Sequence, residues 1–453
     1  MIPEMSLAQS RRRVTSGCRR VAASCALIVM ISTAFTQDAP GQSAGENAYR
    51  WADAYLHYSA GRLLELQGML SDALVQYRRA ADADPEQCAI ETAVARVLFT
   101  MGRLEDARSE AEAAHEQCPE SVESAEVLAA IALSQGDHEV TESVARAILS
   151  EDGGPTPMSL LMAQSLLAQE RIEEAEDLLL RRSEIDSLSP RLSHMYARVL
   201  LVTGREDEAA DVLLRINRAV PGDAAIIEFT VRLLSTMNRL EEAADALDSF
   251  MKTQGARPRH AITLAQVHAE MGDLERAEEA ARDGIRRFGE GPALLRALGS
   301  IQFDEGRVDE AIETYERALE LWPDSAQTLN FLAYTLADLD IDPDRAVELA
   351  TRAVELEPES AIIRDTLGWA YYKTGLIDDA VTELSKAVEL GETEPVIYEH
   401  LGDALEAVGL TDQALEAWRN ALELDPDSQS VARKIKAAVG SAPGDASGVG
   451  EGD

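Results

Sequence analysis

A period of 34 residues runs through most of this 453-residue chain and constrains its fold more than any other feature. An aromatic residue, an alanine three positions later and a proline five positions after that recur at 77–85, 315–323 and 418–426. Steps of 34 from residue 54, with one extra residue in the turn of the ninth unit, give eleven repeats ending at residue 428. The repeats begin at Ala54, Cys88, Val122, Thr156, Pro190, Ala224, Pro258, Pro292, Ala326, Ala361 and Pro395. Such a period predicts a stacked array in which each unit buries its apolar face against its neighbours.

Each repeat has the pattern of two amphipathic helices joined by a tight turn. In the eighth repeat, apolar or small residues recur at helical spacing at Leu295, Leu298 and Gly299, which indicates one buried face. Its turn carries Gly306, because glycine adopts positive φ at little cost, and its second helix ends before Pro323. No stretch shows the sustained two-residue alternation of a strand. The sequence therefore predicts an all-α fold.

The small-residue, glycine, alanine, aromatic and proline positions together resemble the tetratricopeptide repeat. The resemblance covers residues 54–428 and implies a right-handed α-solenoid, or superhelix, of about eleven helix-turn-helix units. It also implies that the first helices line a concave surface while the second helices face outward. The third, fourth, sixth and seventh repeats depart from the pattern, since Thr141 occupies an alanine position and Glu170 and Asn238 replace turn glycines.

The two ends of the chain have different compositions from the repeats. Residues 1–34 combine a basic start, an apolar stretch at 21–35 and the small-residue site at 32–34, the pattern of a secretory signal peptide cleaved after Ala34. The alternatives are an uncleaved inner-membrane anchor with periplasmic repeats, or a cytosolic segment. We expect a linker at 35–46, the repeat array at 47–428, a capping helix at 429–440 and a disordered acidic tail at 441–453.

Charge and motif content exclude several functions. The chain has 42 Lys and Arg against 81 Asp and Glu, a net charge of −39, which argues against nucleic acid or an anionic membrane surface as the main partner. The seven histidines form no metal-ligand pattern, and no phosphate-binding loop or catalytic triad is present. The sequence thus predicts no enzyme activity, no metal and no cofactor.

Cys88 and Cys118 flank the second repeat, one at the start of its first helix and one after its second helix. Antiparallel packing of the two helices would bring these positions together. An exported protein could then hold them as a disulfide, and the alternative is two separate thiols.

The candidate binding residues lie on the first helices, at positions 2, 5, 9 and 12 of each repeat, opposite the expected buried face. In the family these positions line the concave groove. Their arginines predict binding of acidic or C-terminal peptide segments, because guanidinium binds carboxylate through two hydrogen bonds, and their aromatic residues would supply an apolar wall. The candidates are Tyr55, Tyr58, Arg62, Arg96, Arg191, Arg198, Arg232, Arg259, Arg296, Phe303, Tyr334, Trp369 and Tyr372. The alternative is that these arginines only pair with Glu126, Glu228 and Asp365 of neighbouring helices.

The last three repeats, including 330–334, 365–372 and 400–405, resemble the C-terminal end of bacterial envelope tetratricopeptide proteins. Some of these proteins are adaptors that bring substrates to carboxy-terminal processing proteases. The leading hypothesis is therefore an exported, non-catalytic adaptor or scaffold that binds proteins or peptides in its groove. The alternatives are an assembly factor of an envelope or secretion complex with one permanent partner, and, more remotely, an enzyme with a site hidden in the degenerate repeats.

Overall fold

The computed structural model describes residues 42–149, 155–185, 188–391 and 394–441. Within these residues it contains 23 α-helices and no strand, so the expected all-α repeat fold is confirmed. The helices are α1 (Gln42–Leu66), α2 (Leu70–Ala83), α3 (Cys88–Thr100), α4 (Leu104–Gln117), α5 (Val122–Ser134), α6 (His138–Ile148), α7 (Thr156–Ala168), α8 (Ile172–Ile185), α9 (Pro190–Val202), α10 (Glu206–Ala219), α11 (Ala224–Thr236), α12 (Leu240–Met251), α13 (Pro258–Glu270), α14 (Leu274–Phe288), α15 (Pro292–Asp304), α16 (Val308–Leu321), α17 (Ala326–Asp338), α18 (Pro343–Leu356), α19 (Ala361–Lys373), α20 (Ile377–Glu389), α21 (Pro395–Ala407), α22 (Thr411–Leu424) and α23 (Gln429–Ser441).

The helices alternate as first and second helices of the repeats, and all repeat starts after the first coincide with the first residue of a helix. Proline at this position, as in Pro190 and Pro292, suits a helix start because the first backbone N–H groups have no intrahelical acceptor. The first repeat differs from the prediction. Its helix α1 begins at Gln42, so residues 42–46 of the expected linker are helical. The stretch 42–66 contains no proline, and a continuous helix satisfies its backbone hydrogen bonds.

The chain divides into two compact units, one ending at Thr203 and the other beginning at Gly204. In the first unit, α3 contacts α5, α5 contacts α7, and α7 contacts α9. In the second unit, the first helices from α13 to α21 contact one another in the same successive way. Each unit therefore presents a surface built from first helices.

Small residues at position 8 of the first helices make close packing possible. A Cβ atom at Gly299 would lie 2.5 Å from Cε1 of Tyr315, and one at Gly402 would lie 2.4 Å from Cδ1 of Trp418. Both aromatic side chains are buried in the second helix of the same repeat. The glycine thus makes room for a large ring, and the pair fixes how closely the two helices approach.

Cys88, at the start of α3, and Cys118, just after α4, are joined by a disulfide bond in the structure, with their Cα atoms 6.1 Å apart. The bond closes the open end of the second repeat, because it connects the beginning of its first helix to the end of its second.

The final helix α23 packs on α22 and covers the apolar side of the last repeat, with Val431 and Ala438 buried. It includes the expected capping helix. The predicted signal peptide at 1–34 and residues 35–41 of the predicted linker lie outside the described residues. Of the tail predicted at 441–453, Ser441 ends α23, and the rest lies outside the described residues. Among the helices that are described, none has the length and apolar character needed to span a membrane.

Candidate partner-binding surface

The candidate residues lie on the first helices, and in each unit we call the exposed side of these helices the first-helix surface. The residues at position 9 of the repeats range from exposed, as for Arg62, Arg198 and Arg232, to buried, as for Trp369. This range separates residues that can meet a partner from residues that hold the repeats together.

Aromatic side chains mark the N-terminal end of the first unit. Tyr55 is 54% exposed and stacks on Trp51, with ring centroids 5.6 Å apart and 15° between the planes. Tyr58, one helical turn further, is half-buried, and its ring centroid lies 5.5 Å from that of Tyr77. Tyr55 is therefore available to a ligand, whereas Tyr58 mainly packs inside its own repeat.

Arg96 of the first unit is held by two carboxylates. Its Nε lies 2.9 Å from Oε1 of Glu65, and its Nη1 lies 2.8 Å from Oε1 of Glu123. Burial raises the pKa of Glu65, but the hydrogen bonds from Arg96 and from the Tyr77 hydroxyl outweigh burial and leave this pKa lowered. Arg96 thus joins three successive repeats, and its internal partners favour the structural alternative for this residue.

The other candidate arginines of the first unit have no such partners among the described residues. Arg62, Arg191 and Arg198 are exposed, and none forms a salt bridge with a described residue. Arg62 and Arg191 act on Glu65 and Glu126 only through space. Arg191 therefore does not form the salt bridge with Glu126 that the structural alternative predicts, and it attracts that carboxylate only over a longer distance. The three guanidinium groups face solvent.

The second unit also combines paired and unpaired arginines. Nη2 of Arg259 lies 2.5 Å from Oε1 of Glu228, as the structural alternative predicts, and the same oxygen lies 3.2 Å from Nε2 of His260. Arg232 is exposed and makes no salt bridge within the described part of the chain. Arg232 is thus a cation of this surface with no internal carboxylate.

Arg296 differs from the prediction of an exposed groove cation. Its guanidinium carbon lies 5.8 Å from the centroid of the Phe331 ring, and the side chain is half-buried. Burial lowers the pKa of Arg296, because a desolvated charge is less stable. Phe303 packs nearby as a half-buried part of the cluster around Tyr315. These two residues belong mainly to the interior of the repeats.

Trp369 also differs from the prediction of an exposed aromatic wall, because it is only 9% exposed. Its ring lies between His400, at 4.0 Å, and Tyr372, at 5.0 Å between centroids, in nearly parallel stacks. Nε1 donates a hydrogen bond to Oδ1 of Asp338 at 3.3 Å. The next repeat therefore covers Trp369, so this side chain packs between repeats and is not available to contact a partner.

The partly exposed members of this aromatic group are Tyr334 and Tyr372. Burial is the largest cause that raises the pKa of Tyr334 to about 12, and the negative charges of Asp338, Asp365 and Glu399 add to it. The Tyr334 hydroxyl stays protonated at neutral pH and can donate a hydrogen bond to a ligand.

Sequence reasoning missed the role of His400 and Asp365. Nδ1 of His400 lies 2.9 Å and 3.1 Å from the two carboxylate oxygens of Asp365, and both side chains are buried. This pair joins the tenth and eleventh repeats beneath Trp369. The sequence does contain one indication of this pair. Asp365 and His400 are 35 residues apart and occupy nearly the same position in two successive repeats.

The surface has the chemistry of recognition. Exposed guanidinium groups can bind carboxylates, and partly exposed tyrosines can pack against apolar side chains. No group of three His, Cys, Asp or Glu side chains within the described ranges is arranged to hold a metal ion.

Comparison with known proteins agrees with the repeat pattern. A family model for the tetratricopeptide repeat matches residues 93–155, 160–224, 262–326 and 342–395, more than half of the chain. The TPR repeat-containing protein PA4667 of Pseudomonas aeruginosa is 26% identical over 133 residues, which cover 28% of this chain and 22% of that protein. The chain thus matches about a fifth of the length of this relative.

Two solved structures are similar to the chain at low sequence identity. A tetratricopeptide repeat protein from Parabacteroides merdae is 15% identical, with a TM-score of 0.45, and the match covers 55% of this chain and 98% of that one. Yeast Tom70 is 14% identical, with a TM-score of 0.44, and the match covers 85% of this chain and 95% of that one. At these identities the likeness concerns the fold alone.

Proposed function

The chain belongs to the tetratricopeptide repeat family, and from this premise we propose that it is a non-catalytic adaptor that holds a segment of another protein on its first-helix surface. Proteins built from these repeats are generally scaffolds for protein–protein interaction, because stacked helical hairpins create extended surfaces. Our proposal concerns three properties of this adaptor: its ligand, its cellular location and its partner.

One observation carries the choice of ligand. The chain has 81 acidic residues against 42 Lys and Arg, so an arginine on its surface has many possible internal partners. Nevertheless, Arg62, Arg191 and Arg198 in the first unit and Arg232 in the second form no salt bridge with any described carboxylate. Arginines on the second helices, such as Arg282 and Arg317, are more often paired. The first-helix surface therefore offers guanidinium groups to an external acceptor.

The acceptor that fits these groups is a carboxylate of an acidic peptide segment or of a free C-terminus. Guanidinium binds carboxylate with two parallel hydrogen bonds and keeps its charge at all physiological pH values. Tyr55 in the first unit and Tyr334 in the second provide apolar surface with a hydroxyl group, which suits contact with a peptide side chain.

We place this adaptor in the bacterial cell envelope. The support is the basic and apolar start of the chain, the resemblance of the last three repeats to envelope adaptors of carboxy-terminal processing proteases, and the Cys88–Cys118 disulfide. Disulfides persist in the periplasm, whereas the cytosol keeps most thiols reduced. A processing protease is accordingly the first partner to test.

Two charge reversals in the second unit, one on a first helix and one on a second helix, test the binding surface. The Arg232→Glu variant should co-purify at least tenfold less partner protein from extracts of the source cells, because it replaces attraction to a carboxylate with repulsion. The matched control is Arg215→Glu, an exposed residue of the second helix α10 that also lacks a salt bridge among the described residues. Quantitative mass spectrometry of the tagged proteins measures the difference, and equal recovery by the two variants would reject the surface.

The same purification separates an adaptor from an assembly factor. A protease together with several substoichiometric clients supports the adaptor. One stoichiometric partner that survives high salt would instead identify an assembly factor of an envelope complex.

Differential alkylation in intact cells tests the location. An exported protein should show Cys88 and Cys118 protected from alkylation until a reductant is added, because its thiols are oxidised after export. Immediate alkylation of both residues would contradict export but would leave the binding surface untouched.

A further inference from the structure

Exposed aliphatic side chains recur at the inter-helix turns of the ninth, tenth and eleventh repeats, all within the second unit. Each of them is between 38% and 49% exposed, and none lies within a first helix. Single exposed aliphatic residues are common on protein surfaces, but a row that continues through three repeats indicates an interaction site. The row, which we call the turn edge, consists of Leu339, Ile341, Leu376, Val408 and Leu410.

Other repeats carry an arginine at this edge, directly after the turn residue that has positive φ. This is the case in the second, fourth, fifth, sixth and eighth repeats, where the guanidinium forms a salt bridge with the acid three positions later. The distance is 2.6 Å for Arg239–Glu242 and 2.9 Å for Arg307–Glu310. Such a pair stabilises the first turn of the second helix.

The last three repeats have an aliphatic residue in place of this arginine. In the tenth repeat Leu376 takes its position, and Asp379 still occupies the position of the paired acid. Ile341 and Leu410 also directly follow a turn residue of positive φ, in the ninth and eleventh repeats. The repeat folds with arginine at this position elsewhere, so folding does not require the aliphatic residue. The replacement exposes hydrocarbon to water and leaves Asp379 without its cation.

The turns of these repeats lie side by side. Nζ of Lys373, at the end of α19, donates a hydrogen bond of 2.9 Å to the carbonyl oxygen of Asp338, at the end of α17. Helix α19 contacts α21 in turn. Because packed helices are about 8–10 Å apart, the turn edge is about 20 Å long, which equals about 13 residues of α-helix.

Carboxylates accompany the aliphatic row. Exposed acids stand beside each turn in the chain, and none forms a salt bridge with a residue that the structure describes: Asp340, Asp342, Asp344, Asp378, Asp379 and Asp412. The nearby cations already have partners, since Arg345 pairs with Glu316 at 2.8 Å and Lys373 binds the Asp338 carbonyl. The turn edge therefore combines apolar side chains with negative charge that is not balanced locally.

This charge selects among the possible occupants. A second copy of the chain carries the same net charge of −39, and residues 442–453 contain three acids and no cation, so both would be repelled. An anionic membrane surface is disfavoured for the same reason. An amphipathic helix that has lysines or arginines beside its aliphatic face complements both features of the edge.

We propose that the turn edge docks a basic amphipathic helix of a partner protein. The aliphatic face of that helix packs on Leu376 and its neighbours in the row, and its cations pair with Asp379 and Asp412. A cation of the partner thus takes the place that arginine has in the earlier repeats. The site is separate from the first-helix surface, so it adds a second partner and does not depend on the proposed peptide ligand.

Binding of designed peptides to the full chain tests the site. The probe is an acetylated and amidated helix of about 14 residues, with leucines along one face and lysines beside them. One control peptide has the same composition in scrambled order, and the other has glutamate in place of each lysine. Fluorescence anisotropy in 0.15 M NaCl suppresses diffuse attraction to the acidic chain. We expect saturable binding of the probe, at least tenfold tighter than that of either control. Failure of the probe to bind, or equal binding of a control, would overturn the proposal.

The Leu376→Arg variant locates the binding. It restores the pattern of the other repeats beside Asp379, so it should fold at least as stably as the native chain. It should weaken probe binding about tenfold, because it removes an apolar contact and places a cation against the lysines. The control is Met69→Arg, the same change in charge at the corresponding turn position of the first repeat, where Met69 is 46% exposed. Equal losses in the two variants would reject the site.

Two further measurements separate this proposal from its neighbours. If sedimentation velocity shows that the native chain dimerises and that Leu376→Arg does not, the turn edge is an interface between copies and the proposal is wrong. The Arg232→Glu variant should bind the probe as the native chain does, because Arg232 lies on the first-helix surface. Loss of probe binding in Arg232→Glu would place the peptide on that surface and not on the turn edge, whereas failure at the turn edge leaves the proposed adaptor function intact.

Discussion

At the scale of single residues, the inter-helix turns show how backbone geometry selects an amino acid. Gly68 and Gly306 both adopt φ of 75°, the left-handed region in which a side chain is strained. Glu170 and Asn238 occupy equivalent turns with φ of 60° and 56°. Asparagine tolerates this region better than glutamate does, because its short polar side chain makes local hydrogen bonds. Glu170 is therefore the more strained of the two.

The Glu170→Gly variant should be more stable than the native chain by about 1 kcal/mol, since relief of the strained φ exceeds the entropy that glycine adds to the unfolded state. Asn238→Gly should change stability much less. Gly306→Ala serves as the reverse control and should lose about 1 kcal/mol. Urea unfolding measures all three, and a destabilised Glu170→Gly variant would show that its side-chain contacts outweigh the strain.

Single residues also show where sequence reasoning fails. The exposed positions of Arg198 and Arg232 follow from helical periodicity, because that pattern depends only on each residue's own helix. The burial of Trp369 does not, because it depends on His400, which the next repeat places 4.0 Å away. Likewise, Arg96 forms salt bridges with Glu65 of the preceding repeat and Glu123 of the following repeat. Contacts between repeats are set by tertiary packing, which one helix's pattern does not contain.

At the scale of elements, the capping helix α23 is attached by charge as well as by apolar contact. Nζ of Lys434 lies 2.7 Å from Oε1 of Glu399 and 2.6 Å from Oδ2 of Asp403, both on α21. Asp403 also accepts a hydrogen bond from Nε1 of Trp418 at 3.1 Å. Burial raises the pKa of Glu399, but the ion pair with Lys434 outweighs it and lowers this pKa below its usual 4.5.

Lys434→Met should destabilise the last repeat by about 1–2 kcal/mol, because it leaves two half-buried carboxylates without their cation while keeping the apolar stem. Lys436→Met is the matched control, since Lys436 is exposed on the same helix and has no salt bridge among the described residues. Hydrogen exchange in α22 and α23 measures the change. Equal protection in the two variants would show that apolar packing alone holds the cap.

The ion pair also predicts a pH dependence. A lowered folded pKa means that the Glu399 carboxylate stabilises the cap above its unfolded pKa, near 4.5, and that this contribution is lost as the pH falls through the folded value. Protection of α23 should therefore fall below about pH 4.5 in the native chain, and less steeply in Lys434→Met. Parallel pH profiles for the two proteins would contradict this origin.

The bounds of the elements were the most predictable part of the fold. A proline or a small residue begins most first helices after the first repeat, and a glycine often follows two residues after the helix ends, so the 34-residue phase predicts where each of these helices begins. The sequence did not predict the start of α1 at Gln42, because no proline marks a boundary between residues 42 and 54, and Gly45 and Asn47 lie inside the helix although both residue types favour turns. The 34-residue period predicts helix starts inside the repeats, but it does not predict a helix start that lies before the first repeat.

At the scale of the whole molecule, net charge opposes the compact state. The chain carries −39 at pH 7, so many of its acidic groups have no cation to balance them. Repulsion among these groups acts over tens of ångströms when salt is low, because the Debye length is about 30 Å at 0.01 M and about 8 Å at 0.15 M. Salt bridges such as Arg345–Glu316, at 2.8 Å, act well inside the shorter length.

Added NaCl should therefore raise the melting temperature, because screening removes long-range repulsion more completely than it weakens close ion pairs. A gain on the order of 1 kcal/mol corresponds to about 2–4 °C for units of this size. The rise should occur mainly between 0.01 M and 0.15 M and then level off, since the Debye length changes little beyond that range, whereas a solvation effect of the salt would continue to grow linearly. Differential scanning calorimetry of the full chain measures this curve at pH 7. A melting temperature that falls over the same interval would show that the many ion pairs, and not the excess of carboxylates, dominate the electrostatic energy of the folded chain.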